Sequence, residues 1–308
     1  MPIPDYQSLM LPVLAVSAEG ETRVPAAAEA IADRLGLTLE EREEMLPSGK
    51  QRLLHNRVHW AKFYMSKAGL VESPKRGVFV ASAAGKALLG KKPERIDVET
   101  LMGYPAFSEY YQRLTSSKEP DQAPAAETAV ASFATPEEQI DAAHAVLTKA
   151  LKADLLGRVV EQTPSFFERL IVELLVAMGY GGSQEDAARQ LGRSGDGGVD
   201  GVIDEDRLGL DRIYVQAKRY GSGSVVGRPD VQGFVGSLVG FGANKGVFVT
   251  TSTFSKQALD YAKGLQQRVI LIDGERLTEL MVEFGVGVRT NRVIEIKRLD
   301  EDFFSDDA

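Results

Sequence analysis

Three side chains in the second half of the chain stand where a buried strand would ordinarily be apolar: a carboxylate, Asp200, an amide, Gln216, and an amine, Lys218. They lie in the run GDGGVDGVIDEDRLGLDRIYVQAKR, residues 195–219, which reads as two short strands around a turn centred on Leu208-Gly209. With Val199 to Asp204 paired antiparallel to Arg212 to Tyr220, opposite residue numbers sum to about 417. That register sets Asp200 across from Gln216 and Lys218. Side chains alternate along a strand, so Gln216 and Lys218 share one face while Ile213, Val215 and Ala217 take the other. Buried polar groups cost free energy unless they are paired or bind something, so the convergence marks a candidate site. A plain cross-strand ion pair between Asp200 and Lys218 is the competing reading.

The chemistry such a set can perform is specific. Phosphodiester hydrolysis brings an anionic nucleophile to an anionic phosphate, so a hard cation on carboxylate and amide oxygens, backed by an ammonium, supplies the positive charge that is needed. Magnesium is the natural cation, with manganese as a substitute. The glycines at 195, 197 and 198 would let a DNA backbone approach closely, and Arg219 and Arg228 are candidate phosphate contacts. Asp196 beside them reads as a turn residue or a ligand. Thr250, Thr251 and Ser252 read equally as phosphate donors and as caps of the next helix.

The elements around these residues alternate between helix and strand. Thr135-Pro136-Glu137-Glu138 is a capping box with proline at the first helical position, opening a helix to about Val160. Thr163-Pro164 opens a second, Ser165 to Met178, and Pro229 to Phe241 and Lys256 to Leu265 read as two more. GVFVTT at 246–251 and VILI at 269–272 read as buried strands. Buried strands between helices predict an α/β domain with a mixed sheet flanked by helices, over residues 135–300.

Ahead of it, residues 1–92 read as helix-rich, with helices over Tyr6 to Leu14, Val24 to Leu35 and Gln51 to Ala68, then a hairpin through Gly69 to Val71 and Gly77 to Val80. Three helices and a two-stranded wing describe a winged-helix domain, whose third helix enters the major groove. The net charge of −8 would argue against a nucleic-acid partner if it were uniform, but residues 47–92 carry ten Lys or Arg against the single acid Glu72, a local +9. Arg52, Asn56, Arg57, His59, Lys62 and Lys67 on the third helix, with Lys75 and Arg76 at the hairpin, are the candidate contacts to double-stranded DNA. His55 and His59 have the i, i+4 spacing of a metal pair without a third ligand nearby, and Trp60 and Phe63 read as core. Residues 93–134, with several acids, Pro105, Pro120, Pro124 and the run APAAETAVASFAT, read as a linker with some local helix, and 301–308 as an acidic tail.

A chain of 308 residues has room for two such domains. It has no cysteine, which excludes disulfides and Cys-ligated metal and fits a reducing compartment. No apolar run approaches a membrane span, and the first residues lack a basic leader region, so the expectation is a soluble, cytoplasmic protein without a membrane partner. No P-loop motif is present, so no ATP-driven step is expected. A chain with one active site needs a homodimer or higher assembly to cut both strands.

In order, Phe167-Glu168 on a helix, GDGGVDG, VQAKR at 215–219 and GVFVTTSTF at 246–254 resemble the catalytic domain of Mrr-type restriction endonucleases, type IV enzymes of the PD-(D/E)XK nuclease superfamily. The basic N-terminal region is similar to the DNA-binding half of the same family. The resemblance implies that Asp200 and Gln216 hold the metal, that Lys218 orients the attacking water and stabilises phosphate charge, and that Glu168 supports the site. Glu173 on the same helix is an alternative to Glu168. Gln216 departs from the acid usual in the superfamily, and a neutral amide binds magnesium more weakly than a carboxylate. The implied function is restriction of methylated foreign DNA. The alternative is a DNA-binding or sensing protein whose nuclease-like domain is inactive.

Overall fold

The computed structural model describes residues 2–116, 133–181, 198–206, 210–221 and 223–299, and these divide into two compact units, residues 1–145 with the last residues from Arg298, and Val146–Lys297. The turn at Leu208-Gly209, residues 195–197 with Asp196, most of 117–134 and the acidic tail lie outside the described residues.

In the first unit, helices α1 (Met10–Glu19), α2 (Val24–Leu35), the short α3 (Leu39–Glu43) and α4 (Leu53–Lys67) precede a hairpin of β1 (Val71–Lys75) and β2 (Val78–Ala81). Thr22 bridges to Phe79 and ties the hairpin back to the α1–α2 connection, which completes a winged-helix arrangement. Local signals set the boundaries: α2 starts with proline in its first turn and stops at Gly36 in the left-handed conformation, while Thr38 and Glu41 form the reciprocal capping box of α3. Val13, Leu14, Ile31, Val58, Met65 and Phe79 make the buried centre.

The expected linker is folded at its start. After α5 (Ala83–Gly90), helices α6 (Val98–Met102) and α7 (Pro105–Ser116) belong to the first unit, and Ile96, Leu101 and Phe107 are fully buried in its core. Pro105 stands at the first helical position, where a missing N–H costs nothing, and Asp97 caps α6, so these are start signals here and not linker punctuation.

Helix α8 (Pro136–Glu161) begins in the first unit and continues into the second. There α9 (Pro164–Ala177) is followed by a sheet in the order β3-β4-β6-β8, formed by Gly201–Asp204, Arg212–Lys218, Lys245–Thr250 and Arg268–Ile272. β3 and β4 are antiparallel, and β4, β6 and β8 run parallel. α9, the end of α8 and α12 (Gly274–Glu283) cover the face carrying Ile213, Val215 and Val247. The opposite face, through Phe248, packs on α10 (Arg228–Gly240) and α11 (Lys256–Lys263). A small parallel pair, β5 (Val225–Val226) and β7 (Thr253–Phe254), sits beside it. β8, expected as buried, is an edge strand on which Ile270 is 58% exposed. Among the described residues no helix is long and apolar enough to cross a membrane.

Candidate active site

β3 and β4 meet with Gly201 opposite Val215, so opposite numbers sum to 416, one less than the sequence pattern suggested, and Asp200 stands directly across from Gln216. Strand β3 begins one residue after Asp200, and the carboxylate replaces the next rung of the ladder. The Asp200 amide donates to the Val215 carbonyl at 2.8 Å, and Asp200 Oδ2 accepts from the Ala217 amide at 2.8 Å. Oδ1 has no hydrogen-bond partner among the described residues.

Gln216 points from the middle of the sheet to the α10 face and is 7% exposed, yet its Oε1 has no hydrogen-bond partner among the described residues. A buried amide oxygen without a donor costs roughly 1–3 kcal/mol, so Gln216 Oε1 is available to a hydrogen-bond donor or a cation. The backbone leaves room for it: Gly198 has φ +79°, and a Cβ there would stand 2.9 Å from Ser237 Oγ and 3.9 Å from Gln216 Nε2. Only glycine fits both the conformation and the space.

Glu168 lies on α9 one residue past the buried Phe167. Burial and then the Asp200 charge push its carboxyl above the usual range, with Arg169 opposing. The mutual field places the two acids in one neighbourhood. Glu173 is exposed, five residues further along the helix and so well off the Glu168 face. No group of three or more His, Cys, Asp or Glu suited to a metal occurs among the described residues. Any cation here would rest on the mixed set of Asp200 Oδ1, Gln216 Oε1 and Glu168.

Lys218 shares the Gln216 face, and its Nζ contacts Asp230 Oδ1 at 3.3 Å, not Asp200. Asp230 Oδ2 accepts from the Gly227 amide at 3.2 Å at the start of α10, a one-sided cap because glycine has no side chain to return the bond. Asp230 was missed in the sequence because the pair joins a strand to a helix twelve residues on, although Gly227-Arg228-Pro229-Asp230 carried the signal of a helix start. Neither reading of the hydroxyl cluster holds: Thr250 Oγ1 donates to the Lys218 carbonyl and Thr251 Oγ1 to the Tyr220 carbonyl, both at 2.8 Å, Ser252 Oγ donates to the Ser224 carbonyl, and the cap of α11 is Ser255. The two threonines fasten the end of β4 to β6, fixing the backbone that carries Lys218. Arg219 turns inward to the Val160 carbonyl at 2.6 Å, so it is not a surface contact, whereas Arg228 is exposed with its guanidinium over the Tyr261 ring.

In the first unit the third-helix residues separate into two groups. Asn56 is 1% exposed, accepts from Thr135 Oγ1 at 2.7 Å and is no surface contact. Arg57 bonds Glu138 at 2.5 Å and donates to the Ile3 and Pro4 carbonyls, so the predicted phosphate ligand is an internal tie. Trp60 packs partly buried and donates to Glu137 at 2.6 Å. Arg52 pairs with Glu43 and Glu29, and Lys75 with Glu21, which reduces the local positive excess. His59, Lys67 and Arg76 are exposed, Lys62 is half-buried, and the Lys67 ammonium lies over the Phe63 and Tyr110 rings.

Comparison with known proteins decides the family. Residues 159–281 match the family described as "Restriction endonuclease", and residues 6–91 match the "Mrr N-terminal domain". Over 313 residues the chain is 37% identical to the "Type IV methyl-directed restriction enzyme EcoKMrr" of Escherichia coli (strain K12), covering 99% of this chain and 100% of that protein. The chain belongs to the Mrr family of restriction endonucleases. Among solved structures, this Mrr-family chain is similar to the "DNA modification-dependent restriction endonuclease AspBHI" at 19% identity and TM-score 0.34, over 68% of this chain and 46% of that one. It is also similar to the "MspJI Restriction Endonuclease in Complex with 27-mer Oligonucleotide" at 19% identity and TM-score 0.28, over 70% of this chain and 54% of that one. The chain thus spans about half the length of both solved structures.

Proposed function

We infer that this protein is a DNA endonuclease of a restriction system that acts on modified, chiefly methylated, DNA. The observation that carries the reading is the buried, unpartnered Gln216 Oε1 opposite Asp200, with an ammonium on the same strand face. Those donors fit a hard divalent cation, magnesium or manganese, held by Asp200 and Gln216 with Glu168 in support. When bound, the cation supplies positive charge to the phosphate as negative charge builds on it. Lys218 adds a second positive group by exchanging Asp230 for a phosphate oxygen, and Gly198 lets the backbone of the nucleic acid approach. The winged-helix unit binds the duplex through His59, Lys62, Lys67 and Arg76, with Arg52 and Lys75 free to leave their surface carboxylates and Arg228 adding a contact beside the site. Cutting both strands takes two copies of the chain.

The test is nicking of matched methylated and unmethylated plasmids with magnesium present or chelated. Asp200→Ala and Lys218→Ala are each expected to lower cleavage at least a hundredfold while duplex affinity stays within about threefold. Normal nicking by either variant would remove that residue from the site, and equal cutting of both plasmids would remove the methylation dependence.

A further inference from the structure

β8 closes one side of the four-stranded sheet and pairs only with β6, so its outer edge has no strand partner among the described residues. The sequence Arg-Val-Ile-Leu-Ile has none of the usual protection of an edge: no proline, and one charge, at its first residue. On the face away from Gln216, Ile270 and Ile272 line a largely apolar groove of about 210 Å³ with Met178 and Ile213; its charged lining residues are Arg268 and the ion pair of Glu205 with Lys245. Ile270 is 58% exposed.

The chain also has a segment with strand-forming sequence and no strand partner. Residues 289–299 follow the last helix without regular secondary structure and make no backbone hydrogen bond among the described residues. Their sequence, Arg292-Val-Ile-Glu-Ile-Lys297, is strand-forming, and Val293, Ile294 and Ile296 are 77%, 61% and 61% exposed. In a strand, Ile294 and Ile296 would share one face with Arg292, and Glu295 and Lys297, already paired, would share the other. An apolar, unpaired segment of strand-forming sequence and an apolar, unpaired edge are complementary in kind: each supplies the hydrogen-bonding groups and the surface that the other lacks.

We propose that residues 292–297 of a second copy of this chain add as a strand to β8, laying Ile294 and Ile296 over the groove at Ile270 and Ile272, with the exchange made in both directions. The occupant is a second copy because each chain leaves its own segment exposed and unpaired while its own edge stays open. Reciprocal exchange is a closed two-fold contact, so it yields a dimer and not a filament. The proposal does not depend on the metal site, which lies on the other face of the sheet.

The absence of cysteine from the sequence makes a clean test available. Full-length Ile270→Cys is mixed in equal amounts with full-length Ile294→Cys, or with Ile296→Cys for the adjacent register, and oxidised. A disulfide-linked species of twice the chain mass is expected in one of the two mixtures and not in any variant alone. Introducing Ile270→Asp in place of the cysteine removes it. Paired Ile294→Asp and Ile296→Asp, at exposed positions that the fold does not need, are expected to halve the mass in sedimentation while the circular dichroism spectrum is unchanged. The proposal is overturned if neither mixture cross-links, if Ile270→Cys links to itself, or if the aspartate variant keeps the mass of the unaltered protein.

Discussion

Replacing Arg57 by methionine tests whether this helix residue is a tie or a phosphate ligand. Methionine keeps most of the aliphatic stem and removes the guanidinium, so the loss is electrostatic and not a cavity. Arg57 and Glu138 have side chains only 16% and 14% exposed, with the fork bonded to both carboxylate oxygens and to the carbonyls of Ile3 and Pro4. Breaking a buried pair on one side costs about 3–5 kcal/mol, and the residual exposure of this one admits some water, which places the cost at roughly 3 kcal/mol. In a unit of this size that is a drop in Tm of roughly 6–12 °C, at about 2–4 °C per kcal/mol. Adding Glu138→Gln removes the stranded charge and is expected to return roughly half of the loss, a coupling that a double-mutant cycle reads directly. The effect has a pH signature. Burial pushes Glu138 up, but the Arg57 hydrogen bond and the Thr135 amide outweigh it and hold the carboxyl below the usual range. A depressed carboxyl contributes its stability fully above the unfolded value near pH ~4.3 and loses it as pH falls through the folded one. The gap between the unaltered protein and Arg57→Met therefore narrows in acid. Thermal melts at pH 7 and pH 4, with duplex binding across salt concentrations, decide the matter. A cost below about 1 kcal/mol together with a salt slope shallower by about one would return Arg57 to the DNA surface.

Further outcomes follow from the second unit and from one close approach in the first. Gln216→Glu is expected to bind magnesium about tenfold more tightly, some 1.4 kcal/mol, and to keep cleaving, whereas Gln216→Ala loses about a hundredfold in activity; a magnesium titration in which Ala matches the unaltered protein would remove Gln216 from the metal. Glu168→Gln, measured without metal, should stabilise the fold above the normal carboxylate range, because burial and Asp200 raise the Glu168 carboxyl and its ionisation therefore costs stability as pH rises. That gain should vanish in urea titrations at pH 3, where the Glu168 carboxyl is protonated in the folded and the unfolded chain alike. Gly85→Ala would place a methyl 2.2 Å from the Leu70 carbonyl and 3.0 Å from Leu14 Cδ1, so a loss at the upper end of the roughly 1–3 kcal/mol usual for overpacking is expected in denaturant unfolding.

The elements that position the site were legible because their signals are local. Thr135 to Glu138 and Thr163-Pro164 announced two helices, and the alternation through 199–219 announced the hairpin, with the register off by one because the chain between the strands carries no residue that fixes it. Long-range facts were not legible. Helix α4 interleaves polar and apolar side chains without a clean apolar stripe, so its charges read as one outward face, and nothing local distinguishes Asn56, which is inside, from Lys62, which is half-buried. The apolar run at 269–272 has the same composition at the centre of a sheet as at its edge. Acids and prolines made 93–116 look like a connector, although Ile96, Leu101 and Phe107 carry the helical core positions there. Asp230 could be placed only by the packing of α10 against the sheet.

The contact between Lys218 and Asp230 means that the ammonium already has a carboxylate partner. Under the proposed function, a phosphate oxygen reaching it would have to displace a carboxylate that the Gly227 amide holds in place, so a lone inorganic anion would gain little from the exchange. A duplex anchored elsewhere on the protein would meet the same lysine at high effective concentration. The ion pair would then act as a threshold that sets apart an anion delivered by a bound partner from one that arrives alone.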